Sequence, residues 1–388
     1  MGDKSWSQRA AEIESFKVMD LLKRARQLES EGYDVVHMEV GEPDFGTPAP
    51  VAEAAKVAID KGLTQYTPAA GIPELRQRIA EFYKQRYGVD LPAERILVTA
   101  GASGALLLAF SLLTDAGQKM ILSDPGYPCN RQFLRVLEAA STLVPVDASG
   151  NYQLTAESVA AHWDQDTAGV LLASPANPTG TVVADEELAA IADVVANRGG
   201  QLVVDELYHG LTYGFDATSV LQIQPDAFVL NSFSKYFGMT GWRLGWLVAP
   251  EGAVHELERM AQNLFISPPT VSQYAALAAF EPDTIAILEQ RREAFRQRRD
   301  LLVAGLRDIG FELPVTPQGA FYVYADASRF TDNTFDFCWD ILEDCKVAVT
   351  PGLDFGHHHA SRHIRFSYTT DLDRIELALE RIRQKVVG

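Results

Sequence analysis

The chain has 388 residues, a formal net charge of -18 and 47% apolar residues. That length allows two domains and a large core, and the acidic balance argues against non-specific binding to nucleic acid or to an anionic membrane surface. Its three cysteines, Cys129, Cys338 and Cys345, lack metal-type spacing and predict reduced thiols in a cytoplasmic protein. No apolar run reaches the length of a membrane helix, and "MGDKSWSQRAAEIESF" has no apolar core of a secretory signal.

In chain order, the first forty-odd residues lack any buried-strand pattern and are expected to join a small domain. Short apolar runs then alternate with helical patterns. The runs are "RILVTAG" (95–101), "KMILSD" (119–124), "STLVPV" (141–146), "GVLLASP" (169–175), "QLVVDEL" (201–207), "AFVLNSF" (227–233) and "RLGWLVA" (243–249). Between them, "SGALLLAFSLL", "NRQFLRVLEAA" and "DEELAAIADVVANR" carry apolar residues at helical spacing. Strands that are apolar throughout are buried on both faces, which predicts a mostly parallel sheet sandwiched by helices. After residue 250 the order changes to a long helix near 282–310, then "AFYVYADA" (320–327), "KVAVTPG" (346–352) and "HIRFSY" (363–368), then a last helix near 371–386. This reads as a smaller α+β domain. The division is a large domain over 46–284 and a small one from 1–45 with 285–388.

Two runs invite other readings. "RREAFRQRRD" (291–300) holds five arginines, but it lies inside the long helical pattern and reads as a solvated helix face. "GHHHASRH" (356–363) begins at Gly356, and three adjacent histidines cannot share one face; it reads as a loop and not a metal site, with metal binding the lesser alternative.

Ligands of such sheets bind outside the carboxyl ends of the strands, so the polar residues there matter most. "QLVVD" ends at Asp205, with Tyr208 close behind. "GVLLASP" runs into "ANPTG", placing Asn177. "AFVLNSF" delivers Ser232, Ser234 and Lys235, and Arg243 follows within "SFSKYFGMTGWRLGW". "RILVTAG" turns through Gly101 and Ala102 into a helix expected to start near Ser103, a favourable place for an anion. Each has an ordinary structural alternative: Asp205 and Ser103 as helix caps, Asn177 as a turn residue before Pro178. Together they offer an anion site, an amide, a carboxylate and an amine beside an arginine. One ligand would use all four: a phosphorylated heteroaromatic aldehyde with a ring nitrogen, which describes pyridoxal 5'-phosphate.

These motifs, with "MEVGEPDFGTP" (38–48), "QYTPAAGIPELR" and "HIRFSY", make the chain resemble a class I aminotransferase of the aspartate aminotransferase fold family, nearly end to end. The resemblance implies the type I fold of pyridoxal-phosphate-dependent transferases. It makes Lys235 the Schiff-base lysine and proton shuttle, and Asp205 the partner of the ring nitrogen. Tyr208 and Asn177 would serve the ring's phenolic oxygen. Gly101, Ala102, Ser103, Ser232, Ser234 and Arg243 would cradle the phosphate. Tyr127 would stack on the ring, and Tyr66 would reach the phosphate of a neighbouring subunit in a homodimer. Gly41 and Arg365, with Asn177, would take the substrate carboxylate. The expected activity is exchange of an amino group between an L-amino acid and a 2-oxo acid. Alternatives are a lyase cleaving carbon–sulfur bonds in cystathionine-like substrates and an effector-sensing regulator; the regulator needs a DNA-binding domain, and the motifs begin near residue 38. Arg131 is a candidate for a distal substrate carboxylate or a surface helix residue. On family analogy, Phe16 and Val18 line the side-chain pocket.

Overall fold

A computed structural model describes residues 6–387. Among the described residues, twelve strands form three sheets: β1 (Val36–His37), β2 (Ile96–Thr99), β3 (Lys119–Asp124), β4 (Ala140–Pro145), β5 (Thr167–Ala173), β6 (Gln201–Asp205), β7 (Phe228–Ser232), β8 (Gly245–Val248), β9 (Tyr322–Asp326), β10 (Val347–Ala348), β11 (Thr350–Pro351) and β12 (His363–Ser367). The main sheet has seven strands in the order β2-β8-β7-β6-β5-β3-β4.

Alternate residues of β2, β6, β7 and β8 feed two separate cores. Ile96, Val98, Leu202, Val204, Val229, Trp246 and Val248 belong to one; Leu97, Val203, Phe228, Leu230 and Leu247 belong to the other. The continuous apolar runs thus have the cause their pattern predicts, burial on both faces under helices. The pairs β3–β4, β3–β5, β5–β6 and β6–β7 are parallel, whereas β8 is antiparallel to both β2 and β7. The segment 233–244 returns the chain at one end of the sheet, so that Ser232 pairs with Gly245. The loop that carries Lys235 is therefore closed by neighbouring strands at both its ends.

Three expectations need correction in detail. The helix after β2 begins at Gly101, not near Ser103, and its N-cap is Ala100. "RLGWLVA" pairs only from Gly245, because Arg243 takes the left-handed conformation at φ +51. "KVAVTPG" is not one strand: β10 pairs in parallel with β1, while β11 pairs with β12.

The remaining three-stranded sheet is antiparallel, β11-β12-β9. The long helix is Pro282–Ile309, begun by proline and ended at Gly310 in the left-handed region, φ +113. Its arginines are largely paired: Arg292 with Glu289, Arg296 with Glu293 and Asp300, and Arg298 with Asp44 and Asp371. The buried Arg298 guanidinium also lies 4.8 Å from the Phe45 ring centroid, which fixes the 41–45 segment beside the cleft. The histidine run is a loop held by Asp124, whose carboxylate accepts from the main-chain amides of His357 and His358. No helix among the described residues is long and apolar enough to cross a membrane.

Candidate active site

The carboxyl ends of β5, β6 and β7 open on a cleft of about 430 Å³ that the three-stranded sheet covers from the other side. Gly41, Ala102, Ser103, Tyr127, Asn177, Asp205, Tyr208, Ser232, Ser234, Lys235, Arg243 and Arg365 all line it. Gly101 lies behind Arg243. Tyr66 does not line it; it stands on the surface, 80% exposed.

Lys235 leaves the end of β7 and its Nζ donates to the Gly41 carbonyl at 2.6 Å. The surrounding protein desolvates the amine, and this outweighs the pull of Glu42 and Asp205; the positive charges of Arg365 and Arg243 act in the same direction as desolvation. The pKa is lowered to about 8. Asp205 is buried at the end of β6, and one of its oxygens accepts from the Leu207 amide at 3.0 Å. Burial raises its carboxyl to about 6, against the lowering effects of that amide and of the Lys235 charge. Among the described residues it has no ion-pair partner, so it is an acid poised for a cation.

At the start of the helix Gly101–Leu113, Gly101 has φ +71, and a Cβ there would stand 2.7 Å from Arg243 Nη2. A side chain at 101 would take the space where the guanidinium lies against the chain turn. The exposed Arg243 head, Ser103 and the amides of this helix end together form an anion cradle. Ser232 and Ser234 are linked, Oγ to Oγ, at 3.0 Å, and the Ser232 hydroxyl also contacts the Leu244 carbonyl at 2.9 Å. Ser232 therefore braces the loop as well as lining the cleft.

Arg365, in β12, is 5% exposed. Nη1 donates to the Asn177 side-chain oxygen at 3.1 Å, and Nη2 to the Glu39 carbonyl and, at 3.3 Å, to the Thr350 hydroxyl. Its Nε is buried without a partner. All of its hydrogen-bond acceptors among the described residues are neutral oxygens, so no acid of the chain neutralises it there. Asn177, with its oxygen turned to Arg365, keeps its NH2 group to donate.

Tyr322, Thr350, Asp354 and Phe355 are among the residues of the site that were not singled out from the sequence. Tyr322 bonds Tyr208, Oη to Oη, at 2.9 Å, and its ring lies 4.4 Å from the Arg365 guanidinium. Thr350 contacts Arg365; Asp354 and Phe355 line the cleft. Tyr322 sits in an apolar strand and reads as core, and "GLDF" carries no motif. The only available signal was adjacency to the strand-like "KVAVTPG". Arg131 does not line the main cleft. It borders a small cavity beneath Tyr127 and pairs with Glu14 at 2.9 Å. Phe16 and Val18 do line the cleft.

The model of the family described as aminotransferase class I and II matches residues 33–382. The valine–pyruvate aminotransferase of Mycobacterium tuberculosis is 41% identical over 374 residues, covering 96% of both chains. The aspartate aminotransferase of Geobacillus stearothermophilus is 32% identical over 97% of this chain and 98% of its own. Among solved structures, the aspartate aminotransferase of Thermus thermophilus with maleate superposes with a TM-score of 0.93 at 33% identity, over 98% of this chain and 99% of that one. With the strand-end cleft, these likenesses show the chain to be an enzyme, a transaminase, and it belongs to the class I and II aminotransferase family.

Proposed function

We propose that this transaminase works with pyridoxal 5'-phosphate, moving the amino group of an L-amino acid to a 2-oxo acid in a homodimer. The residues fit that cofactor. A buried carboxylate lacks a cation, a glycine turn leaves room for a guanidinium, and a desolvated lysine lies between them. When bound, the cofactor supplies a conjugated sink for the electron pair left as the substrate's α-proton departs.

The chain's own groups do the rest. Asp205 would hold the proton on the ring nitrogen, its carboxylate favoured once a cation faces it. With a pKa near 8, a useful fraction of the Lys235 amine is neutral at physiological pH, and it can take up and return a proton. Asn177 and Tyr208 would donate to the ring's phenolic oxygen, and Tyr127 would lie against the ring face. Gly101, Ala102, Ser103, Ser232, Ser234 and Arg243 would hold the phosphate. The carboxylate of the substrate would go to Arg365, whose planar fork can donate two bonds to it, beside Gly41 and Asn177. The single observation that carries this reading is Arg365: a buried cation, facing a cleft, with only neutral partners.

Large apolar residues stand exposed at Tyr66, Leu264 (51%) and Ile266 (54%), and Thr270 ties the two segments by donating to the Gln65 carbonyl at 2.7 Å. This supports a two-fold dimer in which Tyr66 completes the neighbour's phosphate site. The three cysteines are free thiols, which supports a cytoplasmic location. We divide the chain at 46 and 284, with β1 pairing into the small domain through β10.

The reading is tested by borohydride reduction of the purified protein followed by peptide mapping. The cofactor should become attached to the peptide holding Lys235. Attachment at another lysine, or none, would overturn it. Incubation with an amino acid and no keto acid should release one equivalent of 2-oxo acid per site and stop; continued release of ammonia would indicate a lyase.

A further inference from the structure

Beyond Arg365 the cleft is walled mostly by carbon. Phe16, Val18, Met19 and Leu22 line it from the N-terminal side, and Phe355 from the turn after β11. Arg365 fixes where this sector lies, since its guanidinium carbon is 4.8 Å from the Phe355 ring centroid. A carboxylate held by Arg365 therefore sets the rest of its molecule beside that ring and the helix Lys17–Ser30.

Among the described residues the cations lining the cleft are Lys235, Arg243 and Arg365, and the reading above occupies each of them. Arg131 lines a small adjoining cavity, not this cleft, and its charge is already paired with Glu14. An acid also borders the apolar wall. Asp354 is 5% exposed, and its two oxygens accept from the Lys17 and Val18 amides at 2.8 and 2.9 Å. Those amides open the helix Lys17–Ser30, whose own N-cap, Phe16, offers no side-chain acceptor. Asp354 therefore fixes where Phe16, Val18 and Met19 stand, and it places a carboxylate behind them.

Resting on the transaminase reading above, we propose that this enzyme selects amino and 2-oxo acids with apolar side chains over dicarboxylic ones, with Asp354 as the positioning residue of the apolar wall. A distal carboxylate entering this sector would shed water against carbon, find no cation and face a like charge. A branched aliphatic or thioether side chain would instead bury its surface against the wall.

The test uses the holoenzyme. L-leucine, L-methionine and L-valine are compared with L-aspartate and L-glutamate as donors, and binding of unreactive 4-methylpentanoate and succinate is measured by calorimetry. The expected result is kcat/KM about 100-fold higher for the apolar donors, within the range hydrophobic subsites give, and succinate binding at least about tenfold weaker than 4-methylpentanoate. Dicarboxylates equal to or better than the apolar set in either measurement would overturn the proposal, a cation supplied by a second subunit included, while leaving the transaminase reading intact. Discrimination in calorimetry with no donor consumed would support the apolar subsite and sink the reaction instead. Asp354→Ala should raise KM for leucine more than it lowers kcat, and Asp354→Asn, which keeps one acceptor oxygen, should recover part of it. Equal loss for all donors and in both constants would reduce Asp354 to a general stabilising role and defeat its part of the proposal. Val18→Lys adds a cation to the wall and should shift the aspartate-to-leucine ratio upward by about tenfold or more; an unchanged ratio would mean that this wall does not meet the side chain.

Discussion

Arg365 donates to the side-chain oxygen of Asn177 at 3.1 Å, joining the three-stranded sheet to the loop after β5. The pair spans the cleft, so a carboxylate bound there is held from both sides. Arg365→Lys keeps the charge and loses the fork. Loss of one charge-assisted bond is worth about 1.5–3 kcal/mol, so kcat/KM should fall about 10- to 100-fold for every donor and acceptor tried. Steady-state kinetics over a set of side chains decides it; a loss confined to one side-chain class would place Arg365 in the specificity pocket.

Asp205 should give the cofactor-free protein a measurable pH dependence. Its folded pKa, about 6, lies above the ordinary 3.8. The native chain keeps a proton between those values that the unfolded chain has released. The stabilisation is therefore fully present below about pH 4 and is lost as the pH rises through about 6, of order 3 kcal/mol for a shift of about two units. Asp205→Asn cannot titrate and should flatten this part of the stability curve, leaving the cofactor-free variant more stable than the parent near pH 7. Urea melts from pH 4.5 to 7.5 measure it, and parallel curves for the two proteins would contradict the assignment. With cofactor bound, the parent should regain the advantage.

Gly41 faces a ring at very short range. A Cβ at that position would stand 2.1 Å from Tyr322 Oη, and Tyr322 in turn bonds Tyr208 at 2.9 Å. Gly41→Ala should displace Tyr322, at a cost of about 1–3 kcal/mol in stability for overpacking, with kcat/KM down at least about tenfold. Tyr322→Phe removes the first clash and should recover part of both losses in the double variant. Strict additivity of the two substitutions in a double-mutant cycle would show that the contact carries no coupling.

Tyr66 gives a test of assembly. If it serves the neighbouring site, a hybrid of Tyr66→Phe and Lys235→Ala subunits contains one intact site, whereas a role within its own chain leaves none. Each parent variant should be weak or inactive, and re-equilibrated mixtures should regain activity as hybrids form, up to about half of wild type per hybrid dimer. Mixtures that stay at the mean of the two parents would place Tyr66 in its own subunit or outside the site.

Much of the site was legible because a βα unit is locally determined. An apolar run of a few residues fixes a strand, the residue at its carboxyl end is fixed with it, and so Asp205, Asn177 and Lys235 could be placed at one edge before any partner was known. The same logic located the glycine turn at 101, missing the helix start by two residues because Gly101 itself begins the helix.

What the chain's pattern did not contain was which distant segment covers that edge. Tyr322 lies in a strand buried at every position, where an aromatic ring reads as core; only the pairing of β9 with β12 turns it toward Arg365. Asp354 looks like any turn residue until the N-terminal helix docks its first amides on it. Arg131 has the charge for a second carboxylate, yet Glu14, from a segment with no strand or motif of its own, pairs with it in an adjoining cavity. By itself the sequence determined the strands, their buried faces and the chemistry at their ends, because periodicity and short-range backbone geometry act within a dozen residues. The tertiary structure alone decided what covers the cleft, the apolar wall and the partner of each arginine. Those contacts join residues hundreds of positions apart, and nothing in local periodicity encodes which of many compatible surfaces will meet.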